Sequence, residues 1–350
     1  MVRVIQTLLT WYQDHHRKMP WRETKDPYKI WISEIILQQT RVQQGLPYYL
    51  RFVDKFNTVS ELALADESEV LKLWQGLGYY SRARNLHKGA KIIHEIYHGQ
   101  FPQDFDKIIE LPGVGDYTAS AISAFAFNKR VVAVDGNVKR FAARWLGIGI
   151  SVDKPSFLKE TKMGLLELLG DYANPNLFNQ AIIELGATVC TPVNPRCHDC
   201  PLQDSCIAYG ENRQLELPIT PQKNQPVSLK LVFFAVKQNN GWALIQRDES
   251  SVWANLYEFP NREVEDLDRD PMELFGTFLE NHPVQMKVNG YKDFKHLLSH
   301  RSIEARCWLL EASESVQLPA NWNVKNAASM GEVPVHRLME KMMEFAGVWK

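Results

Sequence analysis

Apolar positions follow two different rules along this chain. From residue 1 to about 210 they recur at intervals of three and four, in "PYKIWISEIILQQ", "ESEVLKLWQGL", "ARNLHKGAKIIHEIY", "YTASAISAFAF", "NVKRFAARWLG" and "SFLKETKMGLLELL". That spacing lines one face of a helix with apolar side chains. Gly, Pro and Asp punctuate the segments at turns. Residues 211–228, "ENRQLELPITPQKNQPVS", are proline-bearing and lack apolar periodicity, as a linker does. Beyond them, "SLKLVFFAVKQNNGWALIQRD" reads as two strands around an Asn-Asn-Gly turn. "SIEARCWLLEA" is a further strand, and "PVHRLMEKMMEFAG" closes as a helix. The pattern predicts an all-α domain over 1–210, a linker over 211–228 and an α+β domain over 229–350.

Composition adds limits. With 350 residues, 45% of them hydrophobic, the chain can build more than one core. The start breaks its apolar run too early for a secretory segment, and no stretch has the apolar length of a membrane span. The expectation is a soluble, cytoplasmic, monomeric protein without a membrane partner. A net charge of -1 does not announce a nucleic-acid binder. Basic residues nevertheless cluster twice, at Arg82, Arg84, His87, Lys88 and Lys91, and at Lys129, Arg130, Lys139, Arg140 and Arg144. Solvated helix faces account for such clusters equally well. Four of five cysteines crowd into residues 190–206, whereas Cys307 lies in the apolar run "EARCWLL" as a small core residue.

Two stretches carry candidate chemistry. "LPGVG" at Leu111–Gly115 sits between helical patterns, where Pro restricts the backbone and Gly permits crowded or left-handed geometry. Such a turn, leading into a helix N-terminus, suits a phosphate. It also suits an ordinary helix–helix connection, and Asp116 adds an unfavourable charge nearby. The cysteines read Cys190-x6-Cys197-x2-Cys200-x5-Cys206. Four thiolates in one loop hold zinc or an iron–sulfur cluster; a single tight pair with uneven outer spacing favours the cluster.

The hairpin, an acidic residue downstream in "VAVDGNVKR" and the four spaced cysteines occur together in that order. This set resembles the helix–hairpin–helix DNA glycosylases of the endonuclease III superfamily, which carry a [4Fe-4S] cluster. The resemblance spans roughly residues 1–210. Bifunctional members place a Schiff-base lysine two residues after the hairpin's last glycine, where this chain has Tyr117. Hydrolysis of a base without strand cleavage is therefore expected.

"PYKIWISEIILQQTRVQQGLPYY" is similar to the signature of MutY-type adenine DNA glycosylases. In that resemblance Glu34 is the catalytic acid, and the apolar residues around it would raise its pKa and keep it protonated. On the helical pattern, Glu34, Gln38 and Arg41 share a face. The resemblance further implies that Asp135 stabilises the sugar cation, with Tyr117 and Asn137 holding sugar and water. Asp135 also has the position of a helix N-cap before "GNVKRF". Trp21, Arg22 and Gln180 would line the adenine pocket. Tyr79 would wedge into the base stack, Gln39 would be a second wedge or contact the estranged base, and Leu111, Gly113 and Gly115 would contact the DNA backbone.

The second domain, through "SSVWANLYEFP" and "FKHLLSHRSIEARCW", resembles the MutT-like C-terminal domain of the same family. It lacks a Nudix box, so binding without nucleotide hydrolysis is expected. "LSH" corresponds to the loop that senses 8-oxoguanine, implicating Ser299 and His300. Leu298 stands where the family commonly has an aromatic residue, and only Arg196 is basic between Cys190 and Cys197. The combined expectation is an adenine glycosylase acting on double-stranded DNA with A:8-oxoguanine or A:G mispairs.

Overall fold

Apolar stripes become helices wherever the pattern placed them. The computed structural model describes residues 2–172, 174–222, 225–249, 251–279, 286–298 and 300–348. The helices run α1 Val2–His15, α2 Pro27–Leu37, α3 Val42–Lys55, α4 Val59–Leu64, α5 Glu67–Trp74, α6 Ser81–Ile96, α7 Phe105–Ile109, α8 Asp116–Phe127, α9 Gly136–Trp145, α10 Pro155–Leu169, α11 Pro175–Thr188 and α12 Ile207–Gly210. No described helix is long and apolar enough to cross a membrane.

The chain forms two compact units: Met1–Leu64 with Asn85–Gln222, and Ala65–Arg84 with Lys223–Lys350. The first is helical. Its main core joins α1, α9, α10 and α11 through Leu8, Tyr12, Phe141, Leu165, Leu168, Phe178 and Ile182. Helix α2 is buried almost all round, from Tyr28 and Ile30 to Ile35 and Ile36. Gly89 permits this close packing, since a Cβ there would lie 2.9 Å from the Trp31 ring. Helix α2 ends at Leu37, and Arg41 stands at the N-cap position of α3. The single helix face expected for Glu34, Gln38 and Arg41 is thus corrected to a helix end, a turn and a new helix start.

The second unit is α+β. Its strands are β1 Val227–Gln238, β2 Gly241–Gln246, β3 Tyr257–Glu258, β4 Asn261–Glu263, β5 Met286–Leu297, β6 Arg301–Ala312 and β7 Asn323–Asn326. The main strand order is β3-β2-β1-β6-β5. The Asn-Asn-Gly hairpin forms, pairing Lys237 with Trp242 and Gln238 with Gly241. Strands β1 and β6 are parallel, pairing Phe233 with Cys307 at the buried centre. Helix α15, Arg337–Phe345, packs Leu338, Met339, Met342 and Met343 into that core. For numbering, α13 is Pro271–Gly276 and α14 is Ala327–Met330.

Periodicity placed α5 with its helical neighbours in sequence. Contacts place it with the second unit instead. Lys72 Nζ donates to the Val333 carbonyl at 3.3 Å, Gln75 Nε2 to Glu340 Oε1 at 2.7 Å, and the Tyr80 hydroxyl to the Val335 carbonyl at 2.9 Å. Arg84 reaches the Ala254 carbonyl, and Asn255 reaches Glu67. These partners lie more than 160 residues away in sequence, a separation that local pattern does not register.

Candidate active site

Glu34 owes its properties to α2. A helix buried almost all round carries one carboxyl residue, Glu34, which is 7% exposed. Burial raises the Glu34 pKa to about 7; the Tyr117 hydrogen bond and Arg22 pull it down, while Asp135 pushes it up. The Tyr117 hydroxyl donates to Glu34 Oε2 at 2.7 Å. Tyr117 stands in the first turn of α8, so the turn before it sets its position. Its own pKa lies well above the usual tyrosine value, chiefly through burial and then through Glu34. It is a neutral donor here, not an anion.

Asp135 caps α9. Its Oδ1 accepts from the Val138 amide at 2.7 Å and its Oδ2 from Asn137 Nδ2 at 2.8 Å. Burial raises the Asp135 pKa, while those hydrogen bonds and Arg140 oppose the shift. Arg140 Nη2 donates to Asn137 Oδ1 at 3.0 Å and to the Gly186 carbonyl at 2.6 Å. An Asn oxygen held by a guanidinium must turn its NH2 toward Asp135, so the Asn137 amide has one sense. A Cβ on Gly186 would lie 2.7 Å from the Asn137 carbonyl oxygen, so α11 approaches α9 through a bare backbone.

Glu34, Tyr117, Asp135 and Asn137 line one cavity of about 690 Å3 together with Trp21, Arg22, Gln38, Gln39, Arg41 and Gln180. Its size suits a purine with its sugar. Trp21 is buried edge-on against Tyr49 at 5.1 Å. Arg22 donates to Glu184 Oε2 at 2.6 Å and to the Arg17 carbonyl at 2.9 Å. Glu184 is fully buried; burial would raise its pKa, but the hydrogen bonds and charges of Arg17 and Arg22 overcome that and lower it. Sequence reading missed this clamp. Its one signal was an acidic residue inside the apolar run "AIIELGA".

Other expected contacts separate into exposed and buried groups. Gln39 and Tyr79 are exposed, and both have left-handed backbones, with φ of 56° and 51°. Non-glycine residues adopt that geometry when the surrounding fold enforces it. Gly113 and Gly115 are exposed on the hairpin. Gly113 has φ 75°, and a Cβ there would meet Asn85 Cβ at 2.8 Å. Gly115 is the N-cap of α8 and makes no side-chain cap, leaving first-turn N–H groups for an incoming acceptor. Lys162 pairs with Asp116 at 2.6 Å, offsetting the acidic charge beside the turn. Leu111 is 3% exposed, its side chain packed beneath the hairpin. The basic clusters are likewise partly internal, with Arg82, His87 and Arg144 buried. In the second unit, His300 is exposed, and its carbonyl accepts from Val227 at 3.0 Å. Ser299 lies outside the described residues.

The four cysteines line a second cavity walled by Phe141, Trp145, Val189 and Leu202. None is in a disulfide. Four free thiols lining one cavity are a donor set that fits an iron–sulfur cluster. Arg144 holds the loop, donating to the Thr191 carbonyl at 2.7 Å and the Leu217 carbonyl at 2.9 Å, with Nη1 3.4 Å from Cys190 Sγ. Arg140 Nε donates to the Cys190 carbonyl at 2.7 Å, so one side chain touches both the loop and Asn137.

Residues 32–162 match the HhH-GPD superfamily base excision DNA repair proteins, and residues 190–206 match the iron–sulfur binding domain of endonuclease III. Residues 231–345 match the NUDIX domain. The adenine DNA glycosylase of Buchnera aphidicola subsp. Baizongia pistaciae is 33% identical over 97% of this chain and 97% of its own. The chain belongs to the adenine DNA glycosylase family. Among solved structures, a thermostable thymine-DNA glycosylase shares 29% identity at a TM-score of 0.54, over 59% of this chain and 95% of that one. An endonuclease III trapped as a covalent DNA intermediate, in an estranged-adenine complex, shares 25% at 0.51, over 60% and 95%. As an adenine DNA glycosylase family member, the protein joins a helix–hairpin–helix domain with a [4Fe-4S] loop to a Nudix-like α+β domain.

Proposed function

We propose that this protein hydrolyses the N-glycosidic bond of adenine mispaired with 8-oxoguanine or guanine, and stops at the abasic site. The observation that carries this reading is the Tyr117–Glu34 pair at 2.7 Å in a cavity that also holds Asp135. The flipped adenine enters that cavity, and Glu34, protonated near neutral pH, gives its proton to N7. The C1′–N9 bond breaks, its electron pair leaving with the protonated base. Asp135, held by Val138 and Asn137, stabilises the positive sugar. Water adds at C1′ and loses a proton. Tyr117 occupies the place where a lyase would carry an amine, so no Schiff base forms.

Cys190, Cys197, Cys200 and Cys206 would hold the cluster, which would order their loop for contact with DNA. Gly113, Gly115 and the exposed Lys88, Lys91, Lys129 and Arg130 suit phosphate contacts. Gln39 and Tyr79 enter the duplex. Ser299 and His300 read the opposite base, and the second domain binds 8-oxoguanine without hydrolysing nucleotides. One chain carries both the excision site and the opposite-base reader, which favours a monomer acting on cytoplasmic, nucleoid DNA.

A glycosylase assay over a panel of mispairs, with and without alkaline strand cleavage, tests the proposal. Adenine release opposite 8-oxoguanine and guanine, with strand breaks only after alkali, is the expected result. Breaks without alkali, or equal release of thymine or oxidised pyrimidines, would overturn it.

A further inference from the structure

Gln180 stands on α11 between two cavities. One is the catalytic cavity, and the other, of about 270 Å3, is lined by Tyr12, His16, Lys18 and Asn176 among others. Both ends of its amide are engaged. The Tyr12 hydroxyl donates to Gln180 Oε1 at 2.7 Å, and Gln180 Nε2 donates to Asn176 Oδ1 at 2.5 Å. Asn176 Nδ2 in turn donates to the backbone carbonyl of Phe125 at 2.9 Å.

That last contact settles the other two. A backbone carbonyl only accepts, so Asn176 must direct its NH2 at Phe125 and its oxygen at Gln180. An amide oxygen also only accepts, so Gln180 must turn its NH2 toward Asn176 and its oxygen toward Tyr12. Amide sense, ordinarily ambiguous, is here determined by a chain of obligatory roles beginning at α8. Each end of Gln180 retains capacity, one N–H and one lone pair, for a base in the catalytic cavity.

We infer that Tyr12 and Asn176 are positioning residues whose relay holds the Gln180 amide in one sense and so sets the preference for a 6-aminopurine over a 6-oxopurine. Adenine presents its N6 donor to the Gln180 oxygen, while its single N7 lone pair is left to Glu34. A 6-oxopurine presents two acceptors, so the Gln180 oxygen faces another oxygen. An amide free to turn gives up part of that distinction. The inference rests on the adenine-excision reading above.

The test compares single-turnover release of adenine and of hypoxanthine from duplexes carrying either base opposite 8-oxoguanine. Asn176→Ala should lower the adenine-to-hypoxanthine rate ratio roughly tenfold. Tyr12→Phe, which keeps the ring packing, should lower it about threefold. Asn176→Asp keeps an acceptor toward Gln180 and should preserve the ratio while lowering the melting temperature, because its other oxygen faces the Phe125 carbonyl. A purely structural role would reduce both rates together and leave the ratio unchanged. An unchanged ratio in Tyr12→Phe, or an equal loss in Asn176→Asp and Asn176→Ala, overturns the inference. Failure of the wild-type protein to release adenine would instead overturn the reading beneath it.

Discussion

Glu34 is a buried carboxyl whose chemistry and energetics follow from the same surroundings. With its pKa raised to about 7 by burial, the proton it donates is present below that pH and absent above it. Single-turnover adenine release should therefore fall about tenfold per pH unit above pH 7. Glu34→Gln should abolish release while duplex binding persists, as read by gel shift beside the excision assay. Between the ordinary carboxyl value and about 7, the folded protein keeps a proton that the unfolded chain releases. Stability then falls as pH rises through that window, by roughly 3 kcal/mol in all. Glu34→Gln should melt higher than wild type at pH 8, with the gap closing near pH 5; an equal gap at both pH values would contradict the burial argument. The resemblance to MutY-type glycosylases made Glu34 and Asp135 candidates. The hold of Arg140 on the Cys190 and Gly186 carbonyls and the Arg17–Glu184–Arg22 clamp were not legible, because each spans 40 to 170 residues of sequence.

Elements act here through their ends and their closest approaches. The α8 N-terminus is uncapped because Gly115 has no side chain to cap it. Its backbone is extended, and a Cβ there meets nothing within 4 Å. Gly115→Ser should therefore fold normally and gain on the order of a few tenths of a kcal/mol. Its hydroxyl would take an N–H that a DNA phosphate needs, so duplex affinity should drop severalfold. Higher affinity alongside the higher melting temperature would refute the phosphate assignment. Gly186→Ala acts on packing instead. Its Cβ would press on the Asn137 carbonyl at 2.7 Å, forcing α9 and α11 apart. A loss of about 1–3 kcal/mol in stability is expected, with excision slowed roughly tenfold to a hundredfold as Asn137 leaves Asp135. Element type was readable from period. The end of α2 at Leu37 was not, since "ILQQTRV" continues polar and apolar residues without a Gly or Pro to mark the break.

At the scale of the whole molecule, the two units divide the chain differently from its sequence order. Ala65–Arg84 belongs with the C-terminal sheet domain and carries Tyr79 on its exposed turn. Removing residues 223–350 would strip the partners of Lys72, Gln75, Tyr80 and Arg84. Hydrogen exchange across residues 67–82 should then accelerate, and discrimination between 8-oxoguanine and guanine should collapse while adenine release from A:G continues. Unchanged protection across that segment would show that it folds without the second domain.

The sequence by itself determined the helical and α+β regimes, the Asn-Asn-Gly hairpin and the cysteine spacing. These are matters of period, turn chemistry and residue type, all encoded within a few positions. The tertiary structure alone decided that Leu111 supports the hairpin from within, that α5 joins the sheet domain, and that Arg140 touches both Asn137 and the cysteine loop. It also decided which way the amide of Gln180 faces. Each of those depends on burial or on donors and acceptors brought together across long stretches of chain, and neither has a local signature in the order of residues.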